Sequence, residues 1–182
     1  DEVEDLLRRN EELLKRLLEE IKKLTDEHRE ELKRLAEDVK KVVEDVRRLL
    51  KELEEMVRRG ELDEKTLDEA RRRLEKLLKE LKEKIDRVKE EMEKSNRKLE
   101  KKIRDAKRTT EEILKRLKDK GVDEKLVRKL EESVRRSTEE LEKALKRNND
   151  VIRRIAEALD DLLRRLEKVI REIEKKLRDD TR

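Results

Sequence analysis

The stretches MVRRGELDEKTL (residues 56–67) and LKDKGVDEKLV (residues 117–127) hold the only two glycines of the chain, which has no proline. In each, basic residues (Arg58 and Arg59; Lys118 and Lys120) precede a Gly, which is followed within three positions by an apolar residue and an Asp. A glycine just past the last turn takes the left-handed conformation that closes a helix, and basic side chains there complement the negative end of its dipole. Asp63 and Asp123 then read as N-caps of the following helices. Leu62 is spaced to pack on Leu67, and Val122 on Val127, as in a hydrophobic staple. Nothing else breaks the chain, so the sequence predicts helices near residues 2–59, 63–119 and 123–179, with loops at Gly60 and Gly121. Each helix would be roughly 84 Å long. Short loops force neighbouring helices to run antiparallel, so the expectation is an all-α, up-down-up bundle of three long helices forming one domain over residues 1–182.

The apolar pattern extends this reading outward from the loops. In the first segment a row of sevens runs Leu7, Leu14, Ile21, His28, Leu35, Val42, Leu49, Met56, with Leu18, Thr25, Leu32, Val39, Val46, Leu53 four positions behind. The second carries Leu78, Ile85, Met92, Leu99, Ala106, Ile113 beside Asn96, Ile103, Thr110, Leu117. The third carries Val127, Val134, Leu141, Asn148, Ile155, Leu162, Val169 beside Leu145, Ile152, Leu159, Leu166, Ile173. Sustained sevens predict left-handed coiled-coil packing. About three apolar positions per heptad suffice for an internal core, so a self-contained bundle of high thermal stability is expected. With 59% charged residues against 32% apolar the composition could also suit a disordered chain, but disordered chains do not gather their apolar residues on one face.

Four of the six rows are interrupted by polar residues, and these interruptions are not scattered. The chain has no Gln, and its surface polarity is supplied by Lys, Arg, Glu and Asp. Setting Val57 beside Leu67 and Leu117 beside Val127 brings His28 level with Ser95 and Asn96, and these level with Asn148 and Asn149; Thr25 lies one turn away. The same register groups Thr109 and Thr110 with Ser133, and brings Asn10, Ser137 and Thr138 within about a turn. Two buried polar layers are therefore expected. A shifted or swapped helix would leave their amides and hydroxyls unpaired among apolar neighbours, so such layers penalise wrong pairings.

Little in the sequence suggests chemistry. His28 is the only histidine and Cys is absent, which excludes thiolate and multi-histidine metal sites and points to no nucleophile beside the ring. His28 is expected to be a structural hydrogen-bonding residue. Adjacent carboxylates such as Asp160 and Asp161 would need a pocket to act as acid and base, and the small residues that could open one are dispersed. No catalytic, cofactor or small-molecule site is predicted. The 56 Lys and Arg are interleaved with 52 Asp and Glu, which does not make the concentrated positive stripe that nucleic acid requires. No apolar run is long enough to span a bilayer and no targeting signal is evident, so a soluble protein is expected.

The Gly-to-Asp loops, the charge-only surface and the layers around His28, Asn96 and Asn148 and around Thr110 and Ser133 together resemble a de novo designed helical bundle. The resemblance is to the type in which buried hydrogen-bond networks are set within parametric coiled-coil backbones, and it covers the whole chain. Spectrin-like repeats are similar in outline but carry core tryptophans, and this chain has none. The resemblance implies a monomeric scaffold with no natural location, cytoplasmic only as a recombinant product. An alternative is an interaction component that exchanges helices, such as a switch with a displaceable third helix or a subunit of a designed oligomer.

Overall fold

The computed structural model describes residues 2–181. It is a three-helix bundle made of α1 (Glu2–Arg58), α2 (Glu64–Asp119) and α3 (Glu124–Thr181), with no strand among the described residues. Both loops close in the same way. Gly60 and Gly121 have φ of 69° and 73°. The Gly60 N–H donates to Val57 O at 3.1 Å and the Glu61 N–H to Met56 O at 2.9 Å, and Gly121 and Val122 repeat this on Lys118 and Leu117 at 3.1 and 3.3 Å. This pair of bonds is the Schellman closure, which satisfies carbonyls that the end of a helix would otherwise leave bare. The next helix starts at once: Asp63 Oδ1 accepts from the Thr66 N–H at 2.7 Å, and Asp123 Oδ1 from the Lys125 N–H at 3.3 Å.

The chain divides into two compact units, each drawing a segment from all three helices. The first comprises Asp1–Arg29 and Glu91–Arg153. Its core cluster contains Leu14, Leu17 and Ile21 from α1, Leu99, Ile103 and Ala106 from α2, and Leu141 from α3. Asn10, Thr25, His28, Thr110 and Asn148, the buried polar side chains among the described residues, all belong to this unit. Glu2 pairs with Lys120 at 3.2 Å and Glu20 with Lys102 at 2.6 Å, so positions rise along α1 as they fall along α2.

The second unit comprises Glu30–Glu90 and Arg154–Arg182. Its buried side chains are apolar, among them Leu32, Leu35 and Val39 of α1, Leu81 and Ile85 of α2, and Leu166 and Ile170 of α3. Lysines of α2 mark its edges. Lys84 reaches Asp38 of α1 at 2.6 Å, while Lys82 and Lys89 reach Glu167 and Asp160 of α3 at 2.5 and 2.7 Å. Pairs this exposed add little stability, but they fix which edge of α1 and of α3 faces α2.

α3 departs from the row read in the sequence. Leu141 and Asn148 are buried and Ile155 is half-buried, but Leu162 and Val169 are exposed, at 44% and 45%. Their neighbours Leu163, Ile170 and Leu177 are buried instead. A helix of 3.6 residues per turn rotates by ~20° per heptad against a strict seven-residue repeat. Over the length of α3 that drift carries the row off the core.

A buried polar cluster as the candidate functional site

The first polar cluster forms where α1 presents Thr25 and His28, α2 presents Asn96, and α3 presents Asn148 and Asn149. Asn148 is its centre and is fully buried. Its Nδ2 donates to Asn96 Oδ1 at 2.8 Å, and Asn96 Nδ2 donates onward to Asn149 Oδ1 at 3.2 Å. Its Oδ1 lies 3.2 Å from His28 Nδ1 and 3.1 Å from Thr25 Oγ1. An amide oxygen only accepts, so the hydrogen-bond pattern assigns the proton to Nδ1 of the ring. The Thr25 hydroxyl has one proton and two acceptors in reach, Asn148 Oδ1 and the Ile21 carbonyl one turn back at 2.8 Å. Donors and acceptors thus alternate through all three helices. Such a network pays its desolvation cost only when its members are satisfied together. Ser95 stands at the same height but is half-buried, lining a shallow groove with Leu24 and Leu99, and makes no side-chain bond in the cluster.

The second group of polar residues is smaller than the sequence suggested. Thr110 Oγ1 lies 2.9 Å from Asn10 Oδ1 and 2.8 Å from the Ala106 carbonyl, with both side chains buried. The layer ends with this pair between α1 and α2. Thr109 is exposed and donates to Asp105 O of its own helix at 3.0 Å. Successive helical residues are about 100° apart, and here the turn points Thr110 into the core and Thr109 to solvent. Thr138 is half-buried and donates to Val134 O at 2.8 Å. Ser133 is exposed and Ser137 half-buried, and both line an open groove with Leu14 and Leu18. The expectation that Thr109 and Ser133 are buried is thus corrected: they share the height of the layer but not its direction.

Two features carry no signal in the sequence pattern. Thr66 bonds to Asp63 and holds its carboxyl below the usual carboxylate range, chiefly through its side chain and then its backbone N–H. The second is the set of α2 lysines that bridge to α1 and α3, since spacing along one helix does not disclose a partner on another.

Among the described residues, no group of three or more His, Cys, Asp or Glu side chains is arranged to hold a metal ion. Likewise, no described helix is long and apolar enough to cross a membrane.

No protein-family model matches the sequence, and no curated protein matches it. Among solved structures, one described as a "computationally designed three helix bundle" is similar in fold. It is 23% identical, covers 99% of this chain and 90% of its own, and has a TM-score of 0.71.

Proposed function

We propose that this chain is a designed structural scaffold: a monomeric bundle without a natural biochemical activity, in which the cluster around Asn148 specifies helix register and pairing. The observation that carries this reading is the continuous path from His28 and Thr25 through Asn148 and Asn96 to Asn149, which joins all three helices at one level. An all-apolar core tolerates a one-turn slip, whereas a slipped Asn148 meets apolar neighbours with its amide unpaired. The predominance of Lys, Arg, Glu and Asp among the polar residues and the likeness in fold to a designed bundle support the same reading. Enzymatic activity forms no part of it.

The test is a variant in which the cluster becomes apolar (Thr25→Val, His28→Leu, Asn96→Leu, Asn148→Leu), compared with the parent by light scattering over a hundredfold concentration range and by amide NMR. Replacing a whole buried polar group with packed apolar residues is often neutral or stabilising. The variant should therefore melt no lower than the parent, yet give mixed masses or multiplied resonances. A variant that stays monomeric with one clean set of resonances would show that the cluster does not specify pairing. The alternative, an interaction component that exchanges helices, draws on the exposed Leu162 and Val169 and would show as a concentration-dependent mass in the parent itself.

A further inference from the structure

Over the whole chain the two signs of charge are interleaved, but one face of α2 in the first unit departs from this. From Lys94 to Arg108 there are eight Lys and Arg against two acidic residues, Glu100 and Asp105, a net charge of +6 within a chain whose total is +4. At about 100° per residue, Lys94, Arg97, Lys98, Lys101, Arg104 and Arg108 fall within an arc of about 120°. That arc lies opposite the buried Leu99, Ile103 and Ala106, and all six side chains are exposed. Asp105 is the other residue of the stretch on this arc, so every position there is charged and none is apolar.

The six cations have no partner within the chain. Lys102 and Lys107, at the two sides of the arc, pair with Glu20 of α1 and Glu142 of α3 and so occupy those carboxylates. Among the described residues, none of the six forms an ion pair. On the α1 side Glu27 lines the groove beside Lys98, where Lys23 offsets it. Glu91 and Glu93 precede the stretch and Glu111 and Glu112 follow it, which confines the positive face to roughly 21 Å of helix. Like charges three and four residues apart repel, and here that repulsion is left for a polyanion to relieve.

We propose that this face of α2 is a docking surface for duplex DNA, held through its phosphates without regard to sequence. The inference goes beyond the scaffold reading and does not depend on it. An acidic protein helix is a poor occupant, because the face offers no apolar position to bury against it. Duplex DNA requires none, since neutralising phosphates with Lys and Arg and releasing their counterions supplies the affinity. Its major groove, about 12 Å wide, admits an α-helix, and cations spread over an arc of about 120° reach the phosphates on both sides of it. The major groove of an RNA duplex is too narrow for this. The face carries no Asn, Gln or aromatic side chain, which points to phosphate contacts rather than base contacts.

The probe is a fluorescein-labelled DNA duplex of about 20 base pairs, longer than the face at about 3.4 Å per pair. Binding to the full chain is followed by fluorescence anisotropy across a series of salt concentrations, with an RNA duplex of equal length and vesicles of phosphatidylcholine and phosphatidylserine in equal parts as competitors. The expected result is saturable binding, alike for two unrelated DNA sequences, with log affinity falling against log salt at a slope of up to about −5 for six contacts. The variant Arg97→Gln, Lys101→Gln, Arg104→Gln should melt no lower than the parent, lose at least about tenfold in affinity and flatten that slope by about 3. The control Arg72→Gln, Lys76→Gln, Lys79→Gln removes the same charge from exposed positions on the same side of α2 outside the stretch, and should change affinity by less than about threefold. No binding at low salt, an affinity indifferent to salt, or equal losses in the two triple variants would overturn the proposal. So would RNA bound as tightly as DNA, or vesicles that displace the duplex, since the face would then fit another occupant.

Discussion

Asn148 donates from Nδ2 to Oδ1 of Asn96 at 2.8 Å while its own Oδ1 faces His28 Nδ1 and Thr25 Oγ1, so a single amide with no solvent exposure serves two neighbouring helices. Removing that amide alone is more damaging than removing the whole cluster. Asn148→Leu leaves the Asn96 carbonyl and the His28 ring without their partner, and a buried polar group stripped of its partner costs about 1–3 kcal/mol. The single variant should therefore be less stable in urea unfolding than the fourfold apolar variant. If Asn148→Leu proved equally or more stable than the fourfold variant, the coupling within the cluster would be disproved.

Thr109 and Thr110 are adjacent in sequence and opposite in consequence. Thr110→Val deletes the hydroxyl that Asn10 Oδ1 accepts from in the core, and should cost on the order of 1 kcal/mol. Thr109→Val deletes an exposed hydroxyl bonded only to its own helix, and should change the urea midpoint little. Combining Asn10→Leu with Thr110→Val should recover much of the loss, since neither partner is then left alone. Equal effects of the two single threonine variants would mean that the pair with Asn10 contributes nothing.

These two threonines also show what the sequence did and did not disclose. The level of each polar group followed from the loops: Gly60 and Gly121 set where the chain turns, and from those turns His28, Asn96 and Asn148 fell within about one helical turn of each other. Height along a helix says nothing of direction around it. Thr109, Ser133 and Ser137 have the right height, but their direction depends on helical phase, which a list of sevens carries only approximately. Leu162 and Val169 went astray for the same reason: a strict heptad row drifts across a long helix, and only packing decides where it leaves the core. Asp63 was legible because a cap is local.

The Asp63 cap gives the chain a pH dependence with a definite sign. Its carboxyl is lowered from the ordinary value by the side-chain and then the backbone hydrogen bond of Thr66. A folded pKa below the unfolded one means that the stabilisation is fully present above the unfolded value, about 3.9 for Asp, and is lost as pH falls through the folded value. The stability difference between the parent and Asp63→Ala should thus be constant near neutral pH and shrink on acidification below about pH 4. A difference that stayed level down to pH 2 would exclude the charged cap as its source. The helix dipole acts in the same direction, since an anion at the start of α2 faces its positive end.

Gly60 and Gly121 are required for their backbone angle and not for space. A Cβ added at either would meet nothing within 4 Å, yet φ is 69° and 73°. Alanine in the left-handed region costs roughly 1–2 kcal/mol, whereas Asn enters it more readily. Stability should therefore fall in the order Gly, Asn, Ala at both positions, measured by thermal melts. If Ala matched Gly, the helix closure would have adopted another geometry.

The uneven packing of α3 has a dynamic consequence that hydrogen exchange can read residue by residue. Between Arg128 and Glu140 no residue is buried, whereas Leu159, Leu163, Leu166 and Ile170 all are. Within the first stretch, the Thr138 hydroxyl turns back on its own helix, Ser133 and Ser137 face an open groove, and the tie to α2 is the exposed Lys118–Glu131 ion pair, so no buried side chain anchors it. Local opening is governed by the apolar contacts that must be broken. Amides of residues 128–140 should accordingly exchange faster than those of residues 159–170 under native conditions, although both stretches are helical. Substituting Leu for Ser137 adds apolar surface where Leu14 and Leu18 already line the groove, and should slow exchange across the first stretch while leaving the second unchanged. Uniform protection along the helix would mean that α3 opens as a single unit and that burial does not set its local stability.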